Sequence, residues 1–271
     1  MKKEDLLKAA KECRKDIIRM TYNVGGIGAH IGGSLSLVEI MTVLYHEILC
    51  FDTKCLTDEK RDRLILSKGH GVMSQYAMFK QCGLISDAEL LSFKKEGSWL
   101  TAHPVMNPIH GIEFSTGSLG QGLALGIGTA YGLKLKNNFD SRVYVILGDG
   151  ECDEGAVWEG AMSAAQLRLD NLVVIIDKNG LQFDDRTSEI ISLEDLEKKW
   201  EAFGWDVDSV DGHDVMSLKN VLKRKSSKPY AVIANTIKGK GVSFIENVPK
   251  WHLGKLSKEQ YEQAMAEQEK Q

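Results

Sequence analysis

The sequence predicts an α/β protein with a doubly wound, mostly parallel sheet flanked by helices, and three observations predict it. Two continuous apolar runs, residues 143–147 and 172–176, have the length and β-rich make-up of strands buried on both faces. Residues 155–167 between them read as a helix, and a right-handed crossover of that kind makes the two strands parallel. The same alternation then continues to the end of the chain, as expected for layers of helix on sheet.

In order along the chain, residues 4–22 place Leu6, Leu7, Ala10, Ile17 and Ile18 at helical spacing, and the pattern breaks at Val24-Gly25-Gly26. The glycines of 25–33 read as a flexible loop. A second helix is expected over 37–49. The short apolar run 64–66 ends at Ser67-Lys68-Gly69-His70, and a helix follows from Gly71. Residues 97–118 hold two prolines and several glycines and read as irregular, and a small-residue helix begins at Leu119. After the strand pair come a helix over 193–203, a strand over 205–210, a helix over 214–224 and a strand over 230–236. A glycine-bearing loop, 238–254, and a charged helix from about Leu256 close the chain. No linker, low-complexity tract or internal repeat interrupts it, so one domain over 1–271 is expected, with 255–271 as a helical tail.

A hydrophobic content of 43% over 271 residues is enough for a large core. The net charge of −4 gives no reason to expect nucleic acid or a membrane surface as partner. No run approaches the ~20 apolar residues of a membrane span. The charged N-terminus lacks the apolar centre of a signal peptide. Five cysteines without paired spacing read as reduced thiols, and the expected location is cytoplasmic.

The strongest chemical signal lies where the two apolar strands stop, at Gly148-Asp149-Gly150 and at Asp177-Lys178-Asn179. Ligands of open parallel sheets bind outside the carboxyl ends of the strands, so both tips emerge at one edge. Asp149 and Asn179 offer hard oxygen donors, which suit Mg²⁺ or Ca²⁺ better than zinc. So few protein ligands fit an ion whose remaining positions come from phosphate oxygens. The flanking glycines admit a bulky anion, and the helix opening near Gly155 aims its positive end at the same place. A lone Gly-Asp-Gly is more often a turn with a capping Asp. Paired with an Asn-bearing strand about thirty residues later, it favours a metal–diphosphate site.

That pairing resembles the thiamine-diphosphate motif. Ser67-Lys68-Gly69-His70, Thr101-Ala102-His103-Pro104, Ser115-Thr116-Gly117-Ser118-Leu119-Gly120-Gln121-Gly122 and Val210-Asp211-Gly212-His213-Asp214 resemble transketolase in order and spacing, over about residues 10–255. The resemblance implies a PP-type, thiamine-diphosphate-binding domain. It gives Asp149, Asn179 and the Leu181 carbonyl to Mg²⁺, with Ca²⁺ or Mn²⁺ as substitutes. Gly150 and His70 would contact the diphosphate; Gly117, Leu119 and Phe183 would meet the rings of the cofactor. His30, His103 and His252 would face a sugar substrate. Glu154 and Glu159 would lie where a second chain makes contact. The reaction implied is transfer of a two-carbon ketol unit from a ketose phosphate to an aldose phosphate, with the histidines moving hydroxyl protons near neutral pH.

The family's catalytic Glu belongs to a pyrimidine-binding domain that these 271 residues do not contain. The resemblance therefore implies the N-terminal subunit of a split transketolase, whose partner in a heterotetramer would be a C-terminal subunit. Two positions depart from the family: Ile31 follows His30 where Pro is common, and Asp185 stands where Gly often follows Asp184. They leave open an unusual ketose phosphate; separate rival readings are a 1-deoxyxylulose-5-phosphate synthase-like enzyme and a non-catalytic cofactor-binding partner, the latter opposed by the metal pair with His30, His70 and His103.

Other features read as ordinary. His46 sits in an apolar helix, His110 has no counterpart, and His213 suits a structural hydrogen bond. Residues 120–128 do not form a dinucleotide-binding glycine pattern, and Lys238-Gly239-Lys240-Gly241 is no Walker A loop. Those lysines read as solvated, with anion contact as the minor alternative.

Overall fold

The computed structural model describes residues 1–270. Its helices are α1 (Lys3–Asn23), α2 (Ile31–Leu35), α3 (Val38–Val43), α4 (Val72–Gln81), α5 (Asp87–Leu90), α6 (Gln121–Leu135), α7 (Gly155–Gln166), α8 (Thr187–Ile190), α9 (Leu196–Ala202), α10 (Val215–Leu222) and α11 (Lys258–Lys270). The strands are β1 (Arg63–Leu66), β2 (Val143–Gly148), β3 (Leu172–Lys178), β4 (Asp206–Asp211) and β5 (Tyr230–Asn235). They form one sheet in the order β1-β2-β3-β5-β4, and every pairing is parallel.

Alternate side chains of the central strands feed two cores. Tyr144, Ile146, Val173 and Ile175 pack with α1, α3, α4 and α10, while Val145, Leu147, Val174 and Ile176 pack with α6, α7 and α9. This burial on both faces is why β2 and β3 are continuously apolar. The winding also follows from handedness. The chain passes from β3 to β4 over the second face, by α9, then returns to β5 over the first, by α10. A reversed direction with right-handed crossovers requires that change of face.

The glycine-rich segment expected to be a flexible loop is instead partly a short helix. All of α2 is buried, and its glycines allow close approach: a Cβ on Gly32 would come within 2.9 Å of the Trp251 carbonyl oxygen. The helix expected over 37–49 is α3 followed by a π-helical turn, Leu44–Ile48. The charged C-terminal helix docks on α1, where Tyr22 and Tyr261 stack at 4.4 Å and Lys15 pairs with Glu269 at 2.6 Å. The expected tail also includes Gln271, which lies outside the described residues.

Candidate active site at the carboxyl edge of the sheet

The strands β2 and β3 run in register, Gly148 opposite Asp177, so the two polar tips leave the sheet side by side. Asp149 emerges first. Its Oδ1 accepts the Gly150 N–H at 2.9 Å and its Oδ2 accepts the Gly180 N–H at 2.6 Å, which ties the end of β2 to the end of β3. Asn179 is fixed at both ends of its amide, Oδ1 accepting from Leu181 N at 3.1 Å and Nδ2 donating to Asp177 at 3.2 Å. Burial, together with the neighbouring Asp177 charge, pushes the Asp149 carboxyl up to about 6.

A cavity of about 260 Å³ opens above these tips. Its walls include Asp149, Gly150, Asn179, Leu181 and Phe183, and also His30, His70, His103, Gly117, Leu119 and His252. Every expected cofactor, metal and sugar-facing residue therefore borders one space. The imidazoles cluster closely. His30 lies 5.8 Å from His70, 5.2 Å from His103 and 5.4 Å from His252, ring centre to ring centre, and His70 lies 5.0 Å from His252. Phe183, largely exposed, meets His252 edge-on at 5.0 Å. The strap carrying His252 is paired with the segment carrying His30 through an Ala29–Gly254 bridge. Gly117 has φ +135°, and a Cβ there would press within 3.0 Å of the His103 ring, so the two share a space that only glycine leaves free.

Electrostatics change one expectation. Burial lowers all four imidazoles: His30 to about 4, with help from His103 and Lys94; His252 to about 3, with help from Lys238 and His30; His70, with help from Lys68 and His252; and His103, with help from Lys94. The lowered basicity favours the neutral form of each, with one N–H and one lone pair, and the lone pair of His252 Nδ1 faces the Lys238 ammonium.

Four more residues border the cavity that sequence reasoning passed over: Lys68, Glu151, Gln182 and Lys238. Lys238 corrects the reading of its segment as solvated, being only 3% exposed. Its Nζ donates to the carbonyls of Leu181 and Gln182, both at 3.0 Å, and lies 3.1 Å from His252 Nδ1. Burial and the Lys68 charge lower its ammonium to about 8. Lys240, by contrast, stays at the surface beside Glu246. Lys68 is buried and ion-paired with Asp177, which also accepts from Ser36 Oγ and Thr236 Oγ1. Glu151 is a buried clamp: it accepts from Ser67 Oγ, Gly120 N and Gly148 N, and so joins three loops. Lys68 was legible as part of the Ser67-Lys68-Gly69-His70 motif. Nothing in the local sequence marks Lys238 as buried.

The helix start at Gly155 does not border the cavity; a tight 3₁₀ turn, Gly150–Asp153, intervenes. Glu154 and Glu159 are exposed and lie outside it as well. His46 bonds Gln81 at 3.0 Å and His110 stacks on Trp99 at 4.1 Å, both away from the cavity.

The donor set suits a shared cation. Among the described residues no group of three or more His, Cys, Asp or Glu side chains can hold a metal by itself. Asp149, Asn179 and Leu181 border the cavity and could offer an ion one carboxylate, one amide and one backbone oxygen. The Leu181 carbonyl already accepts from Lys238 and keeps a second lone pair.

A family model described as "Transketolase, thiamine diphosphate binding domain" matches residues 15–268. The chain belongs to the transketolase family. One of the named subunits of apulose-4-phosphate transketolase from Actinobacillus succinogenes is 43% identical over 92% of this chain and 90% of its own length. The 6-deoxy-6-sulfo-D-fructose transketolase subunit SqwG of a Clostridium species is 42% identical over 91% and 90%. Among solved structures, transketolase from Leishmania mexicana superposes with a TM-score of 0.90 at 29% identity. That match covers 97% of this chain but 41% of the Leishmania chain, so this chain spans about two fifths of that enzyme. Transketolase-family membership thus accounts for a parallel α/β sheet with a thiamine diphosphate site.

Proposed function

We propose that this chain is the cofactor-binding subunit of a two-chain transketolase. It transfers a two-carbon ketol unit from a ketose phosphate to an aldose phosphate once a partner chain completes the site. The observation that carries this reading is the convergence of four neutral imidazoles on the cavity bordered by Asp149, Asn179 and Leu181.

In this reading Asp149, Asn179 and the Leu181 carbonyl hold Mg²⁺, or Ca²⁺ or Mn²⁺ in its place, against the diphosphate. Gly150 and His70 contact the diphosphate, and the buried Lys238 ammonium offers it positive charge. Gly117, Leu119 and Phe183 border the cofactor rings. Thiamine diphosphate, when bound, supplies the nucleophilic carbon and the electron sink for carbon–carbon cleavage. The chain supplies binding, orientation and proton movement. His30 and His103 orient the sugar hydroxyls, donating from one ring nitrogen and accepting from the other, while His252, whose Nδ1 accepts from the Lys238 ammonium, offers the N–H of Nε2. The lowered basicity of His30 and His103 favours the form whose lone pair can accept.

Glu154 and Glu159, exposed beside the site, serve as contacts to the partner, which carries the catalytic Glu in a heterotetramer. The Actinobacillus relative is named as one subunit of its enzyme, which supports a separate partner. The sugars named for both relatives support a less common ketose, or a sulfonated one, as donor. One continuous sheet supports a single domain over the whole chain. Among the described residues all five cysteines are free and no helix is long and apolar enough to cross a membrane, which supports a cytoplasmic location.

Calorimetric titration of the two-chain complex with thiamine diphosphate and Mg²⁺ tests the site. Asp149→Ala weakens binding by roughly 100-fold or more, since losing a direct ligand costs at least as much as losing an outer-shell partner. Unchanged affinity in that variant contradicts the assignment.

A further inference from the structure

Three residues outside the cavity form a chain of contacts that ends beside it. Arg14 of α1 and Glu39 of α3 are buried and ion-paired through Nη2 and Oε1. The other Glu39 oxygen, Oε2, lies 2.8 Å from Nδ1 of His213, in the turn between β4 and α10. The far ring nitrogen of His213, Nε2, receives the backbone N–H of Ile237 at 2.8 Å. A backbone N–H only donates, so Nε2 carries no proton. The ring's proton therefore sits on Nδ1 and is given to Glu39. Every bond in the chain thus has a fixed direction, from Ile237 to His213 to Glu39, with Arg14 balancing the carboxylate.

Arg14 also reaches the same segment directly. Its Nε donates to the Lys240 carbonyl at 3.2 Å. Gly241, at φ +90°, lies so close that a Cβ there would come within 2.7 Å of Arg14 Cδ. From the opposite side the Gly239 N–H donates to the Gly32 carbonyl at 3.0 Å. Residues 237–241 are thereby pinned from α1, α2 and the β4–α10 turn, and Lys238 stands in the middle of them.

A lysine side chain is rich in rotamers, and a buried ammonium stays put only if its backbone does. We infer that Arg14, Glu39 and His213 form a positioning relay that fixes residues 237–241 and so holds the Lys238 ammonium in the cofactor cavity. None of the three borders that cavity. The consequence for cofactor binding rests on the function proposed above; the consequence for the segment itself does not.

The test uses the complex of this chain with its partner. His213→Leu removes both ring bonds, whereas His213→Gln keeps an oxygen able to meet the Ile237 N–H. Two quantities are read: amide hydrogen exchange over residues 236–242, and the dissociation constant for thiamine diphosphate at fixed Mg²⁺. A partly buried N–H left without its acceptor predicts, for His213→Leu, about tenfold faster exchange and about tenfold weaker cofactor binding. His213→Gln recovers most of both. The kcat at saturating cofactor stays within about twofold in each variant, because the relay touches no reacting atom. Unchanged exchange and unchanged affinity in His213→Leu overturn the relay. A fall in kcat at saturating cofactor as large as the loss of affinity overturns it too. If His213→Leu does not assemble, His213→Ala, which removes the same two ring bonds with a smaller side chain, carries the same expectations. A wild-type complex that binds no thiamine diphosphate overturns the reading of the cavity, and the exchange data then decide the relay alone.

Discussion

At the scale of single residues, the site is a balance of buried charges that hold one another in place. Asp177 is fully buried and accepts from Lys68, Ser36, Thr236 and Asn179, and these partners overcome its desolvation and keep it ionised. Removing one partner of such a pair typically costs about 3–5 kcal/mol, so Lys68 and Asp177 hold the floor on which Asp149 and Asn179 stand. The imidazoles above carry the opposite liability. His30 has its folded value lowered to about 4, by burial first and then by His103, Lys94 and Lys238. An unfolded histidine takes up its proton near pH 6.5. Between those values the unfolded chain binds more protons, so His30 subtracts stability as the pH falls through 6.5 toward 4. His30→Gln removes that liability. Its melting temperature therefore drops less than that of the wild type between pH 7.5 and pH 5, measured by thermal unfolding at each pH. An equal drop in both proteins contradicts a His30 held neutral by its surroundings.

At the scale of elements, the helix α6 reads as a packing device. A Cβ on Gly126 would lie 2.4 Å from Val145 Cγ2 of β2, whereas nothing lies within 4 Å of a Cβ on Gly128. Gly126→Ala is expected to destabilise by about 1–3 kcal/mol through overpacking against a stiff β-branched neighbour. Gly128→Ala is expected to stabilise by about 0.5–1 kcal/mol through helix propensity. Denaturant titration of the isolated chain checks both, and equal signs for the two variants contradict the packing account. The elements that sequence reasoning found are those whose stability is local or periodic. The strands β2 and β3 are continuous apolar runs, and α1, α7 and α10 carry regular apolar spacing. The helix α2 was hidden because it is glycine-rich and is made by tertiary packing under Trp251 and beside His70. Lys238 was hidden for a related reason: lysine is usually solvated, and its burial depends on segments at 181–182 and 252 meeting it. The four histidines were legible one by one, from the loops that carry them. Their mutual repulsion and neutrality were not, because those depend on distances between residues as far apart as 30 and 252.

At the scale of the whole molecule, a transketolase-family sheet presents one edge at which metal-type oxygens, buried lysines and neutral imidazoles converge. Phe183, largely exposed, borders that edge, and in the proposed function the exposed Glu154 and Glu159 meet a second chain that completes the cofactor's surroundings. The measurement that bears most directly on this account is ketol transfer from xylulose 5-phosphate to ribose 5-phosphate, with thiamine diphosphate and Mg²⁺, extended to less common ketose donors. It is run on this chain alone and on this chain mixed with the chain encoded beside it. The account predicts activity in the mixture only, lost in Asp149→Ala. Full activity from this chain alone, or none from the mixture with any ketose donor, contradicts it.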